Sequence, residues 1–193
     1  MSKVLLISSG LKHSQDFSDI YMRKLSKYLE KKCGVLDIRH TDNFDERTFF
    51  AYDKVVFCFF VALNSIPSST LEIFQKLESQ QKNAHIYVLA ICDEFECEKC
   101  DTSLKIIQNW CNHENLEYKG DIRIGSCFSI MKTNNRFVVC NQISKVAHAI
   151  IKDQDVHLSI TLPNEKTFLK IANKYWSKEI KKKHKQKRKS RNS

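Results

Sequence analysis

Three of the eight cysteines in this 193-residue sequence, Cys92, Cys97 and Cys100, read C-x4-C-x2-C. That is the spacing of three ligands in a plant-type ferredoxin loop, and Cys111 or Cys127 could supply a fourth. Cys97 and Cys100 could instead cycle as a dithiol. Against a cluster, Cys92 closes an apolar run, Cys111 sits beside Trp110 on the apolar side of a helical pattern, and Glu94, Glu96 and Glu98 would repel bound thiolates. Unligated thiols in a reducing compartment are the expectation, with no metal site assigned; the cluster and the dithiol stay as alternatives. The seven histidines show no H-E-x-x-H or related spacing, and no acid, base or nucleophile dyad stands out, so no catalytic side chain is assigned.

Two other stretches could meet a ligand. "SSGLKHSQDFSD", residues 8–19, leads from an apolar run into a helical pattern, where free backbone N–H groups and the helix dipole favour a phosphate. It lacks both G-x-G-x-x-G and G-K-[ST], and taken alone it reads more readily as an N-cap. "FFVALNSIPSS", residues 59–69, ends a second apolar run in a short turn holding Asn64 and Pro67.

The elements that must position these stretches alternate. β-rich runs occupy 3–8, 34–40, 54–60, 84–92 and 116–126; helical spacings mark 16–32, about 67–81, 104–111 and 143–151. The continuous runs "KVVFCFF" and "AHIYVLAIC" suit strands buried on both faces. Strand and helix alternating at this pitch predict a three-layer, doubly wound α/β domain with a five-stranded parallel sheet. The run "VHLSITLP", 156–163, reads as extended without an assigned place in that sheet. Ligands in such folds bind beyond the carboxyl ends of the strands, which selects the loops at 8–16, 59–66 and 92–100.

Read together, the loops resemble those of the flavodoxin-like NAD(P)H-dependent FMN reductases. "SSGLKHSQD" matches the first loop pattern, "FFVALNSIPS" the second, and "CDEFECEKCDTSLKIIQNWC" with "KGDIRIGS" the third, in order over about residues 3–151. The resemblance implies that Ser9, Ser14 and Gln15 face the phosphate of FMN; the adjoining Asp16 stands where the family pattern has a hydroxyl or amide, and since a carboxylate repels a phosphate it is expected to cap the helix and point away. It also implies that Phe60, Val61, Ala62, Leu63 and Asn64 line the isoalloxazine ring. Ala62 stands where the family pattern has Tyr, Asp93 stands where it has Gly, and the whole chain has four glycines. The function implied is a flavoprotein oxidoreductase taking reducing equivalents from NADH or NADPH through FMN to an acceptor; the alternative is a non-catalytic binding protein on the same fold, with weakened or lost FMN affinity.

The net charge of +10 is uneven. Residues 178–193 hold nine Lys/Arg and one Glu, a net +8, so the other 177 residues carry only +2. Arguments about anionic partners therefore apply to the tail. Residues 1–152 are expected as the flavodoxin-like domain, 153–182 as an extension with an amphipathic helix from 164, and 183–193 as a disordered basic tail. That extension could pack on the domain or a second subunit, meet an anionic membrane surface, or bind nucleic acid. "MSKVLLISSG" does not read as a signal peptide, and a cytoplasmic protein is expected.

Overall fold

The computed structural model describes residues 2–9, 17–78 and 83–189. Its six strands, β1 (Lys3–Ser9), β2 (Val35–His40), β3 (Lys54–Phe60), β4 (His85–Ile91), β5 (Glu117–Ile124) and β6 (Val156–Ile160), form one parallel sheet in the order β2-β1-β3-β4-β5-β6. The helices between them are α1 (Phe17–Leu29), α2 (Glu46–Phe50), α3 (Ser68–Leu77), α4 (Asp101–His113), the single turn α5 (Cys127–Ile130) and α6 (Arg136–Lys152); α7 (Glu165–Lys189) follows the last strand. Strand order reverses between β1 and β3, which marks the switch point at their carboxyl ends.

Alternation along the strands builds two cores. Leu5, Ile7, Val55, Phe57, Phe59, Ile86 and Val88 pack with α3 and α4 on one face. Val4, Leu6, Val56, Cys58, Leu89 and Ile91 pack with α1 and α6 on the other. On the first face Phe74 and Trp110 stack at 4.2 Å and both meet the edge of Phe57, each contact contributing about 0.5–1.5 kcal/mol beyond its buried area. At the opposite end of the sheet from the candidate loops, the buried Lys54 donates to the carbonyls of Ile150 (2.6 Å) and Ile151 (3.2 Å). Its charge satisfies the carboxyl end of α6.

The sheet has six strands where five were expected. β6 pairs with β5 from Gly120↔Val156 to Ile124↔Ile160. Its half-buried Val156, Leu158 and Ile160 alternate with the exposed His157 and Ser159, the period-2 signature of an edge strand with one covered face. Gly120 makes the pairing possible, because a Cβ there would stand 1.9 Å from the Val156 carbonyl oxygen. The expected boundary after Lys152 falls at the end of α6, and the strand beyond it belongs to the same sheet. Leu162 and Phe168 then pack on the second core. Asn164 starts α7 by accepting the Lys166 N–H at 2.8 Å. The helix runs to Lys189, seven residues past 182, through Lys, Arg and Gln, which are good helix formers, with no Gly or Pro to stop it. Among the described residues no helix is long and apolar enough to cross a membrane.

Candidate functional site

At the carboxyl end of β1, Ser8 and Ser9 are both buried. The Ser9 hydroxyl lies 2.6 Å from that of Thr70 in the first turn of α3, so the residue expected beside a phosphate is already bonded across the switch point. The hydroxyl of Ser8 has no partner among the described residues. Ser14 and Gln15, the other expected phosphate-side residues, and Asp16, the expected helix cap, lie outside the described residues.

The β3 loop is fixed by backbone bonds. Val61 N–H donates to the Ile91 carbonyl at 2.7 Å, tying the loop to β4, and Ser65 N–H closes back on the Ala62 carbonyl at 3.0 Å. Between them Leu63 (φ 53°) and Asn64 (φ 57°) take left-handed conformations, the geometry of a primed two-residue turn that Asn-Gly would form without strain. For Leu63 this conformation costs about 1–2 kcal/mol, and its side chain is 93% exposed. Of the five residues expected to line a ring, Val61 is buried in the first core and Phe60 packs on the second, which leaves their backbone at the loop. Ala62, Leu63 and Asn64 stand exposed.

Facing this turn, the β4 loop continues into a 3-10 turn at Cys97–Cys100 and then α4. A cavity of about 440 Å³ opens between the two, lined by Asn64, Glu96, Glu98, Lys99 and Thr102. Residues beyond the three expected loops brace this wall, through backbone and side chain alike. The Ser126 N–H donates to the Glu94 carbonyl at 2.6 Å and the Cys127 N–H to the Cys92 carbonyl at 3.0 Å. Thr161 donates to the Phe95 carbonyl and lies 3.1 Å from the Ser126 hydroxyl. Gly125 admits the contact, since a Cβ would come within 2.8 Å of the Phe95 carbonyl oxygen. The Asp93 carboxylate accepts the Phe128 N–H at 3.3 Å; burial raises its pKa, and that backbone donor works against the rise. Sequence reasoning missed Ser126 and Thr161, whose roles depend on β6 joining the sheet; the glycine in "IRIGSC" was the available signal.

The cysteine trio sits inside this wall. Cys92, Cys97 and Cys100 are all buried. Hydrogen bonding to Cys92 and burial push the Cys100 thiol up, burial and the nearby Glu98 push up Cys97, and burial pushes Cys111 up to about 12. Protonated, buried thiols are weak nucleophiles and weak ligands. Among the described residues no three His, Cys, Asp or Glu side chains are grouped to hold a metal ion.

No protein-family model matches the sequence, and no curated protein matches it. Solved structures do. Oxidised flavodoxin 2 from Bacillus cereus superposes with a TM-score of 0.65 at 12% identity, covering 79% of this chain and 99% of that one. The fold is flavodoxin-like. An FMN-dependent NADH-azoreductase from Bacillus anthracis, solved with FMN, gives 0.59 at 9% identity over 78% of this chain and 100% of its own. The Trp repressor binding protein from Bacillus subtilis gives 0.58 at 13% over 79% and 100%. Identities this low establish the architecture alone. In a flavodoxin-like sheet the reversal between β1 and β3 puts Ser9, the Leu63 turn and the braced β4 loop along one carboxyl edge.

Proposed function

We propose that this flavodoxin-like protein binds FMN along the carboxyl edge of β1, β3 and β4 and acts as an oxidoreductase, passing reducing equivalents from NADH or NADPH to an acceptor. The observation that carries this reading is the cavity of about 440 Å³ between the Leu63–Asn64 turn and the β4 loop, within the size range of ligand sites and beyond the carboxyl ends of the strands, where such folds bind theirs. The cavity wall itself is polar, with Asn64, Thr102, Lys99 and two glutamates, so a planar ring would rest on the exposed Leu63 and the backbone of the turn. Leu63 holds an apolar side chain in solvent on a strained backbone, an arrangement that backbone strain commonly accompanies at binding sites. A bound ring would cover that side chain and meet Asn64 and the backbone of the turn. Bound FMN would supply the hydride chemistry, which belongs to the cofactor. The chain's part is to orient the ring, exclude water and set the local field. Glu96 and Glu98 on the cavity wall would oppose negative charge building on bound FMN, which would favour its oxidised form and make the reduced form a stronger reductant.

The test is calorimetric titration of the full chain with FMN, together with its visible absorption spectrum. One FMN per chain is expected, with the absorption of oxidised flavin bleached on adding NADPH or NADH without air. Absence of saturable FMN binding would overturn the reading.

A further inference from the structure

Beyond the carboxyl end of β5, the chain makes a second concave site from residues the flavin reading does not use. The rings of Phe128 in α5 and Tyr175 in α7 meet at 4.2 Å. The Lys132 ammonium stands 3.2 Å from the centre of the Phe128 ring and 5.2 Å from that of Tyr175. A cavity of about 370 Å³ opens beside them, lined by Lys132, Lys170, Ile171, Lys174, Tyr175 and Lys178. Residues 170, 174 and 178 succeed one another at i, i+4 and i+8, so they share one face of the helix, and Lys132 closes the site from the segment after α5.

Four like charges around one hollow repel each other, and like-charged i, i+4 pairs destabilise a helix. Carboxylates relieve cations elsewhere, as in Lys54 with Asp153, Lys119 with Glu117 and Arg123 with Asp101. Among the described residues none is paired with these four lysines. Burial and the neighbouring Lys178 push the Lys132 pKa down, against the pull of Asp93; all four lysines are exposed, so the site is electropositive and open to solvent. The ring beneath Lys132 holds its ammonium in place, and Tyr175 with Ile171 gives the hollow an apolar side. A concave basic site of this kind concentrates anions.

We propose that this cavity is a binding site for a phosphate-bearing anion, with Lys132, Lys170, Lys174 and Lys178 around the phosphate oxygens and an apolar portion of the ligand against Tyr175 and Ile171. A soluble nucleotide and an anionic lipid headgroup share that chemistry. Ammonium groups suit phosphate as movable point charges.

Calorimetry of the full chain with ADP and with inorganic pyrophosphate tests the site, and a vesicle sedimentation arm identifies its source of phosphate. Two double variants are compared: Lys132→Gln with Lys174→Gln in the cavity, and Lys183→Gln with Lys185→Gln in the tail, which lose the same charge. One site per chain is expected, weakened about tenfold by the cavity pair, as loss of charge-assisted bonds predicts, and unchanged by the tail pair. Binding to phosphatidylglycerol vesicles that falls with the cavity pair alone identifies a lipid headgroup as the source. Cavity-dependent ADP binding without that effect on vesicles identifies a soluble ligand. The proposal is overturned by equal losses in the two double variants, or by the absence of saturable binding to any of the three probes.

Discussion

Leu63 is where residue-level chemistry and the proposed function meet. A leucine with φ 53° and a side chain 93% exposed gains nothing from local energetics, since the left-handed region costs it about 1–2 kcal/mol and its apolar surface faces water. Asparagine tolerates the same backbone. Leu63→Asn is therefore expected to raise stability by up to about 1 kcal/mol in denaturant unfolding while weakening FMN binding about tenfold through lost apolar contact. Opposite signs for the two measurements are the signature of strain held for a ligand. A variant that is more stable and binds FMN unchanged would mean the side chain does not touch the ring. This conformation was not legible in the sequence, because leucine is not a turn residue and only Asn64 beside it signalled a bend.

Among the elements, legibility followed burial. β1, β3 and β4 lie within about a residue of their expected limits, since strands covered on both faces read as unbroken apolar runs. β6 escaped because an edge strand buries one face only, and "VHLSI" alternates apolar with polar over just five residues. Its partner left a clearer trace in Gly120, whose backbone, φ 154°, and lack of a side chain let the Val156 carbonyl approach. Gly120→Ala is expected to displace β6 and to cost at least about 2 kcal/mol, by steric clash and strained φ together. Thr161 follows β6 and bonds the Phe95 carbonyl, so the damage should spread to the β4 loop and weaken FMN binding as well. Hydrogen exchange would read this as lost protection in 156–160 and 93–97, with β1 and β3 unaffected. Loss confined to 156–160 would show that the loop does not depend on the strand.

At the scale of the whole molecule, charge and fold are separate. Residues 181–193 carry eight Lys/Arg and no acid, so of the net +10 the first 180 residues hold only +2. The contacts that fasten α7 to the body come early in the helix, at Phe168 against Phe95 (5.8 Å) and Tyr175 against Phe128 (4.2 Å), before that basic segment begins. Removing 181–193 is accordingly expected to leave the melting temperature and FMN affinity unchanged. Adsorption to heparin or duplex DNA should respond differently. With eight cations released from the balance, the full chain's log K should fall with log salt at a slope of up to about −7, by counterion release. The truncated chain should show a much smaller slope, because the lysine cavity and scattered surface cations are what is left to meet phosphates on a body of net +2. The lysine cavity divides the two kinds of anion binding, since Lys132, Lys170, Lys174 and Lys178 all survive the truncation. ADP binding that persists in the shortened chain, alongside lost adsorption to DNA, separates a formed site from the field of the tail. A large fall in melting temperature would place the basic end of α7 within the folded structure.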